Sequence, residues 1–197
     1  MPVDLLVVGL GNPGMDYART RHNVGADTVG LLAERHGGRL KVAFRNERAQ
    51  SDEVRVGTVR IGLAIPETFY NESGVAVGAL VRRHDLEDLH RVVVVHDELD
   101  LPPGRLKLKL GGGLAGNNGL RSIKAHLHTE DFARVRIGVG KPPGRQQGAD
   151  HVLRRPGKAE RAELDVAIEE AADAVEAIAT DGIEAAMGRY NTRPDPA

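Results

Sequence analysis

The sequence predicts an α/β fold, a single domain in which a mixed, mostly parallel central sheet is sandwiched between helices. Three observations predict it. Short β-branched runs alternate with stretches of helical periodicity, as they do in βαβ units. One of these runs, residues 91–96 (RVVVVH), holds four consecutive valines, a pattern favoured only where a strand is covered on both faces. Glycine, proline and asparagine crowd the segments just past the strands, where α/β sheets bind their ligands. At 197 residues and 41% hydrophobic content, the chain can bury such a core in one unit.

Each element has its own warrant. Residues 5–8 (LLVV) are short, apolar and bounded by turn residues, and so predict a buried strand. Gly9, Gly11, Pro13 and Gly14 then force a tight loop carrying Asn12 and, beyond Arg19 and Arg21, His22 and Asn23. Residues 25–35 are helical in pattern, with Val29, Leu31 and Leu32 apolar and Gly37-Gly38 as a stop. Residues 54–65 (VRVGTVRIGLAI) read as two short strands about Gly57, the second ending at Pro66. The loop PETFYNESG leads into a helix over residues 73–83, with Val77, Leu80 and Val81 apolar and Asn71 where an N-cap would sit. The valine strand then delivers HDELDLPPG, with Asp97 just past its end. Residues 105–110 (RLKLKL) alternate strictly, sending Arg105, Lys107 and Lys109 to one face. After the glycine-rich run GGGLAGNNG comes a helix over residues 120–127. Residues 134–140 (RVRIGVG) alternate again, with Arg134 and Arg136 opposite Val135, Ile137 and Val139. Residues 141–157, rich in Pro, Gly and Gln, predict an exposed connection. The C-terminal helical part, 158–188, is amphipathic through Leu164, Ile168, Ala171, Val175 and Ile178, with Gly182 as a stop and a structural role only.

Composition narrows the chemistry. Without cysteine there are no disulfides, thiolate nucleophiles or zinc-thiolate sites. The N-terminus has no basic leader, and glycine and proline interrupt its apolar run too early for a signal peptide or a membrane span, so a soluble, cytoplasmic protein is expected. The formal net charge is only -1, but it is unevenly spread. Residues 101–145 hold nine Lys and Arg against two acids, while residues 158–187 hold two against nine. A polyanion should approach the first of these regions.

His22 and Asp97 are the chemically interesting pair. A carboxylate bonded to one imidazole nitrogen fixes the tautomer and raises the basicity of the other, which can then take a proton from water. By itself His22 reads equally as a solvated loop histidine. Asn12, Asn71 and Asn118 follow glycine-rich or strand-end segments and would supply amide donors to a carbonyl, although each alone reads as a turn or cap residue. Direct attack by water is the economical mechanism. G-x-S-x-G is absent, and Ser51, Ser73 and Ser122 are not in nucleophile-elbow settings. Two rivals are weaker. Gly9, Gly11 and Gly14 fit a dinucleotide-binding turn of an oxidoreductase, but the acid some 20 positions on, Glu34, falls within a helix and not at a strand end. His96, Asp97, Glu98 and Asp100 suggest a metal site, yet neighbours on a strand face opposite ways, so no metal is expected.

The blocks VVGLGNPGMDYARTRHNVG, FYNESG, HDELDLPPGRLKLKLGGG, NNGLRSI and FARVRIGVGKPPG, in this order and spacing, resemble the bacterial peptidyl-tRNA hydrolase family. The resemblance implies a monomeric α/β enzyme that cleaves the ester between a peptide and the 3′-terminal ribose of tRNA, recycling tRNA from aborted translation. It implies no cofactor, no membrane and no obligatory protein partner. By position, His22 corresponds to the catalytic base and Asp97 to its orienting carboxylate. Asn12, Tyr17, Tyr70, Asn71 and Asn118 fall on substrate-binding positions. Lys109 and Arg136, with Lys107 beside them, correspond to a clamp for the tRNA 5′-phosphate. Three departures stand out: Tyr70 replaces a usual methionine, Asn117 a usual histidine, and VLRRPGK lacks an aromatic after VL. They leave room for an alternative, a tRNA-binding module with an impaired site.

Overall fold

A computed structural model describes residues 2–42, 44 and 46–192. One seven-stranded sheet runs through it, built from β1 (Leu5–Gly9), β2 (Lys41–Val42), β3 (Ala49–Val56), β4 (Val59–Pro66), β5 (Val92–Glu98), β6 (Leu106–Leu110) and β7 (Ala133–Gly138). The strand order is β2-β3-β4-β1-β5-β7-β6. The central four strands, β4, β1, β5 and β7, are parallel neighbours, while β2, β3 and β6 add antiparallel edges. The helices are α1 (Val24–Arg35), α2 (Ser73–Arg83), α3 (Asn118–Leu127), α4 (Gly148–Val152), α5 (Lys158–Asp181) and α6 (Ile183–Tyr190).

The valine run divides the core. Val93 and Val95 face the layer of α1, α5 and α6, packing with Val7, Val29, Ile168 and Val175, while Val92 and Val94 face α2 and α3, packing with Leu6, Leu80 and Ile123. Alternate residues of one strand thus serve two cores, so valine is useful at every position.

Several elements differ from the sequence-based reading. β2 has two exposed residues and no periodicity to announce it. β3 begins at Ala49, five residues before the alternation becomes legible. β5 continues to Glu98 because β7 pairs with it that far, so Asp97 lies within the strand and not beyond it. A 3-10 turn, Tyr70–Glu72, precedes α2 and puts Glu72 at the capping position, so Asn71 is not the cap. The connection over 141–157 contains α4, whose His151 and Val152 are buried, so it is not exposed throughout. At Gly182 the backbone turns to φ +89° and separates α5 from α6, as that glycine predicted.

Candidate active site

The adjacent parallel strands β1 and β5 carry the site, and close packing without side chains holds its loops there. A Cβ on Gly25 would lie 2.1 Å from the Val95 carbonyl oxygen, and one on Gly9 would lie 2.2 Å from that of Gly25. Glycine at both positions lets the start of α1 rest directly on the ends of β1 and β5. The 3-10 turn Arg21–Asn23 enters α1 at this point, which brings His22 over Asp97.

Both neighbours of His22 are anchored. The Arg21 guanidinium is buried and forks onto Glu160 of α5, with Nε at 2.6 Å and Nη2 at 2.8 Å, while its Nη1 donates to the His151 carbonyl at 3.0 Å. This charge-assisted pair holds the Glu160 carboxyl below its usual range. It also gives the acidic face of α5 a task that sequence patterning did not reveal. On the other side, Asn23 clasps the backbone of Asn12, accepting from its N–H and donating to its carbonyl, both at 2.9 Å. Asn23 is the residue here whose role the sequence reading missed, its one signal being its place directly after His22.

His22 Nδ1 lies 2.8 Å from Asp97 Oδ2. An ionised carboxylate can only accept, so Nδ1 carries a proton, and in the neutral imidazole the lone pair is then on Nε2. Asp97 is 4% exposed, and its other oxygen, Oδ1, accepts the Tyr70 hydroxyl proton at 2.7 Å. Burial and the nearby Asp97 charge push the Tyr70 phenol well above the ordinary tyrosine range, so it stays protonated. The hydroxyl of Tyr70, a position that the resemblance assigns to substrate binding, is therefore turned inward onto Asp97. Asn12 Oδ1 accepts from the Tyr70 backbone N–H at 2.7 Å, and this fixes which way its amide faces.

Around this pair opens a cleft of about 490 Å³. Asn12, Asn71 and Asn118 all line it, from three separate segments, together with His22 and Asp97. Apolar walls come from Phe69, Leu99, Val152 and Leu153, the last two brought in by α4 and the residue after it. Among the described residues, no serine, threonine, cysteine or lysine lines it. Tyr17 is half-buried and lies outside the lining. The serines serve as scaffold: Ser73 donates to the Tyr70 carbonyl at 2.6 Å, and Ser122 accepts from the Gly74 N–H at 2.9 Å.

The cationic strands lie farther along the sheet. Lys107 opposes Arg136 and Lys109 opposes Arg134 across the β6–β7 ladder. Arg136 is tied to the buried Glu98 at 3.6 Å. Lys109 reaches the Gly113 carbonyl at 3.2 Å, and its ammonium is held below its ordinary range by partial burial and by the nearby charges of Arg134 and Arg136. An anion arriving there would relieve that repulsion. Arg134 does not share an open face with Arg136, as alternation suggested. It is 1% exposed and donates to the carbonyls of Gly112, Gly113 and Glu130, so it shapes the glycine-rich loop.

Metal-ligand geometry is not found among the described residues: no three His, Asp or Glu side chains converge. His96 is turned away from the cleft, its Nδ1 donating to the Asp97 carbonyl at 2.8 Å, and burial pushes its pKa down to about 4.

A family model described as peptidyl-tRNA hydrolase matches residues 6–197. The chain belongs to the peptidyl-tRNA hydrolase family. It is 53% identical to the peptidyl-tRNA hydrolase of Frankia alni over 186 residues, covering 94% of this chain and 93% of that one. It is 48% identical to that of Cutibacterium acnes, over 95% of this chain and 98% of the relative. The crystal structure of peptidyl-tRNA hydrolase from Acinetobacter baumannii superposes with a TM-score of 0.90 at 35% identity, covering 100% of this chain and 99% of that one. The seven-stranded mixed sheet between helices is thus the architecture of the family; the sequence predicted the mixed sheet between helices but not its strand count.

Proposed function

We propose that this protein hydrolyses the ester joining peptide to tRNA in peptidyl-tRNA, with water activated by His22 and His22 oriented by Asp97. Family membership supports the substrate class. The observation that carries the mechanism is the 2.8 Å contact between His22 Nδ1 and Asp97 inside a cleft lined by three asparagines. His22 Nε2 takes a proton as the water oxygen attacks the ester carbonyl carbon. The amide groups of Asn12, Asn71 and Asn118 hold the carbonyl and stabilise the negative charge that develops on its oxygen. The tetrahedral intermediate then collapses, the carbon–oxygen bond to the ribose breaks, and His22 returns its proton to the departing 3′ oxygen. Among the described residues the cleft wall offers no hydroxyl of serine or threonine, no thiol and no lysine amine, and Tyr70 and Asp97 are engaged with each other, which supports direct attack by water over an acyl-enzyme.

The walls formed by Phe69, Leu99, Val152 and Leu153 suit peptide side chains, and Lys109 and Arg136, with Lys107, suit the tRNA 5′-phosphate. His22, Asp97 and the three asparagines all come from one chain, which suits action as a monomer, and peptidyl-tRNA arises in the cytoplasm. Among the described residues no helix is long and apolar enough to cross a membrane.

The test is to incubate the protein with labelled N-acetylaminoacyl-tRNA and excess chelator, with acid quenching of early time points for mass analysis of the protein. Release of the N-acetylamino acid without acylated protein is expected. Intact substrate after long incubation would instead favour a tRNA-binding module without turnover, and an acylated intermediate would refute direct water attack.

A further inference from the structure

Hydrolysis by His22 and Asp97 leaves one polar chain in the cleft without a task, buried at Tyr70 and Asp97 and half-buried at Asn117. Asp97 Oδ1 accepts from the Tyr70 hydroxyl at 2.7 Å, the Tyr70 oxygen accepts from Asn117 Nδ2 at 2.9 Å, and Asn117 Oδ1 accepts from the Leu120 backbone N–H at 2.9 Å. Each bond dictates the next. The Leu120 N–H can only donate, so the Asn117 oxygen must face it and the amide nitrogen must face Tyr70. The phenol oxygen, occupied by that donor, can send its own proton only toward the carboxylate. The order runs from the first turn of α3 to the base without an ambiguous step. Tyr70 also stacks on His22, with ring centroids 3.5 Å apart and planes 13° from parallel. Gly119 makes room for this, since a Cβ there would lie 2.5 Å from Tyr70 Cε1.

We propose that Tyr70 and Asn117 are positioning residues for the hydrolytic step: Asn117 aims the Tyr70 hydroxyl at Asp97, and Tyr70 thereby fixes both the carboxylate and the imidazole. The proposal rests on His22 being the base and Asp97 its partner. A carboxylate held by a single bond can rotate about Cβ–Cγ and carry the imidazole with it. A second bond on Oδ1 stops that rotation, and the stacked ring keeps the imidazole plane from tilting. The phenol proton also withdraws negative charge from Asp97, which tempers how strongly Asp97 stabilises a protonated imidazole. Two other ionisable groups border this pair: Glu98, which lines the cleft, acts on the Tyr70 phenol and is paired with Arg136, and His96, which donates to the Asp97 carbonyl.

Two substitutions separate positioning from packing. Asn117→Asp keeps a side chain that caps α3 as well as asparagine does, but it has no N–H for Tyr70, and its carboxylate competes with Asp97 for the phenol proton. Tyr70→Phe keeps the stacked ring and removes the hydroxyl. Both should fold, and both should lose about tenfold or more in kcat with KM nearly unchanged. In Tyr70→Phe the acidic limb of the kcat/KM profile should move up by about half to one pH unit, because Asp97 no longer shares its charge with a phenol proton. Wild-type kcat in either variant overturns the proposal. So does a fall in kcat with an unmoved acidic limb in Tyr70→Phe, which loosened packing alone would produce. His22→Ala, run in parallel, separates the two levels: if it stays fully active, the base assignment itself fails. If it is inactive while both other variants behave as wild type, only the positioning role fails.

Discussion

Replacing Asp97 by asparagine changes almost no atoms and should nearly stop turnover. The carboxylate accepts twice, from His22 Nδ1–H at 2.8 Å and from the Tyr70 hydroxyl at 2.7 Å. An amide offers one acceptor and one donor, so one of the two must fail. With the amide oxygen toward His22, its NH2 faces a phenol oxygen that already receives the Asn117 amide at 2.9 Å, and the phenol proton loses its buried acceptor. With the oxygen toward Tyr70, its NH2 faces Nδ1 and drives the imidazole proton to Nε2, the atom needed as base. Either way the protonated imidazole loses its counter-charge. A charge-assisted bond contributes about 1.5–3 kcal/mol, and the wrong tautomer adds to that, so a loss of about 10²- to 10⁴-fold in kcat is expected. The assay is single-turnover cleavage of N-acetylaminoacyl-tRNA by Asp97→Asn, with tRNA affinity measured alongside. Affinity should hold while the rate collapses. A variant that keeps more than about a tenth of the wild-type rate would refute the reasoning.

Three further outcomes follow from the same geometry. Lys109→Ala should weaken tRNA binding, lower the slope of log K against log salt by about 0.7–0.9, and abolish any preference for tRNA bearing a 5′-phosphate over tRNA without it; an unchanged slope would remove Lys109 from the phosphate site. His96, buried with Nε2 unpartnered and its pKa pushed down to about 4, binds fewer protons folded than unfolded. Stability that is full above the ordinary histidine pKa of about 6.5 should therefore fall as pH drops from there toward about 4, and His96→Gln should flatten the dependence in denaturant titrations. Gly25→Ala puts a Cβ 2.1 Å from the Val95 carbonyl oxygen, so backbone must move. A cost of about 3 kcal/mol or more, or a fall in Tm of roughly 6–12 °C, should appear by calorimetry.

What was legible in the sequence depended on how far apart the interacting residues are. The valine strand, the hairpin about Gly57 and the stop at Gly182 are local patterns, and the observed elements lie on them. β2 and α4, at two and five residues, are too short to show a period. Alternation placed Arg134 on the face of Arg136 but carried no information about the glycine-rich loop that folds over it and turns it into a buried donor. That His22 and Asp97 lie near the ends of adjacent parallel strands follows from topology once the strands are recognised. The Asn117–Tyr70–Asp97 chain spans segments 47 and 27 residues apart, and no spacing rule joins them. Asn117 and Tyr70 stand out in the sequence only as departures from the family pattern; the reason they belong together is visible in three dimensions alone.

The most direct test of the account is single-turnover hydrolysis of N-acetylaminoacyl-tRNA by His22→Ala beside the wild type, with tRNA affinity measured on the same preparations. A cleavage rate lower by about 10²-fold or more, with affinity retained, is predicted for the loss of a general base. Cleavage at the wild-type rate would mean that the imidazole takes no proton from water, and the chemistry assigned to this cleft would be wrong.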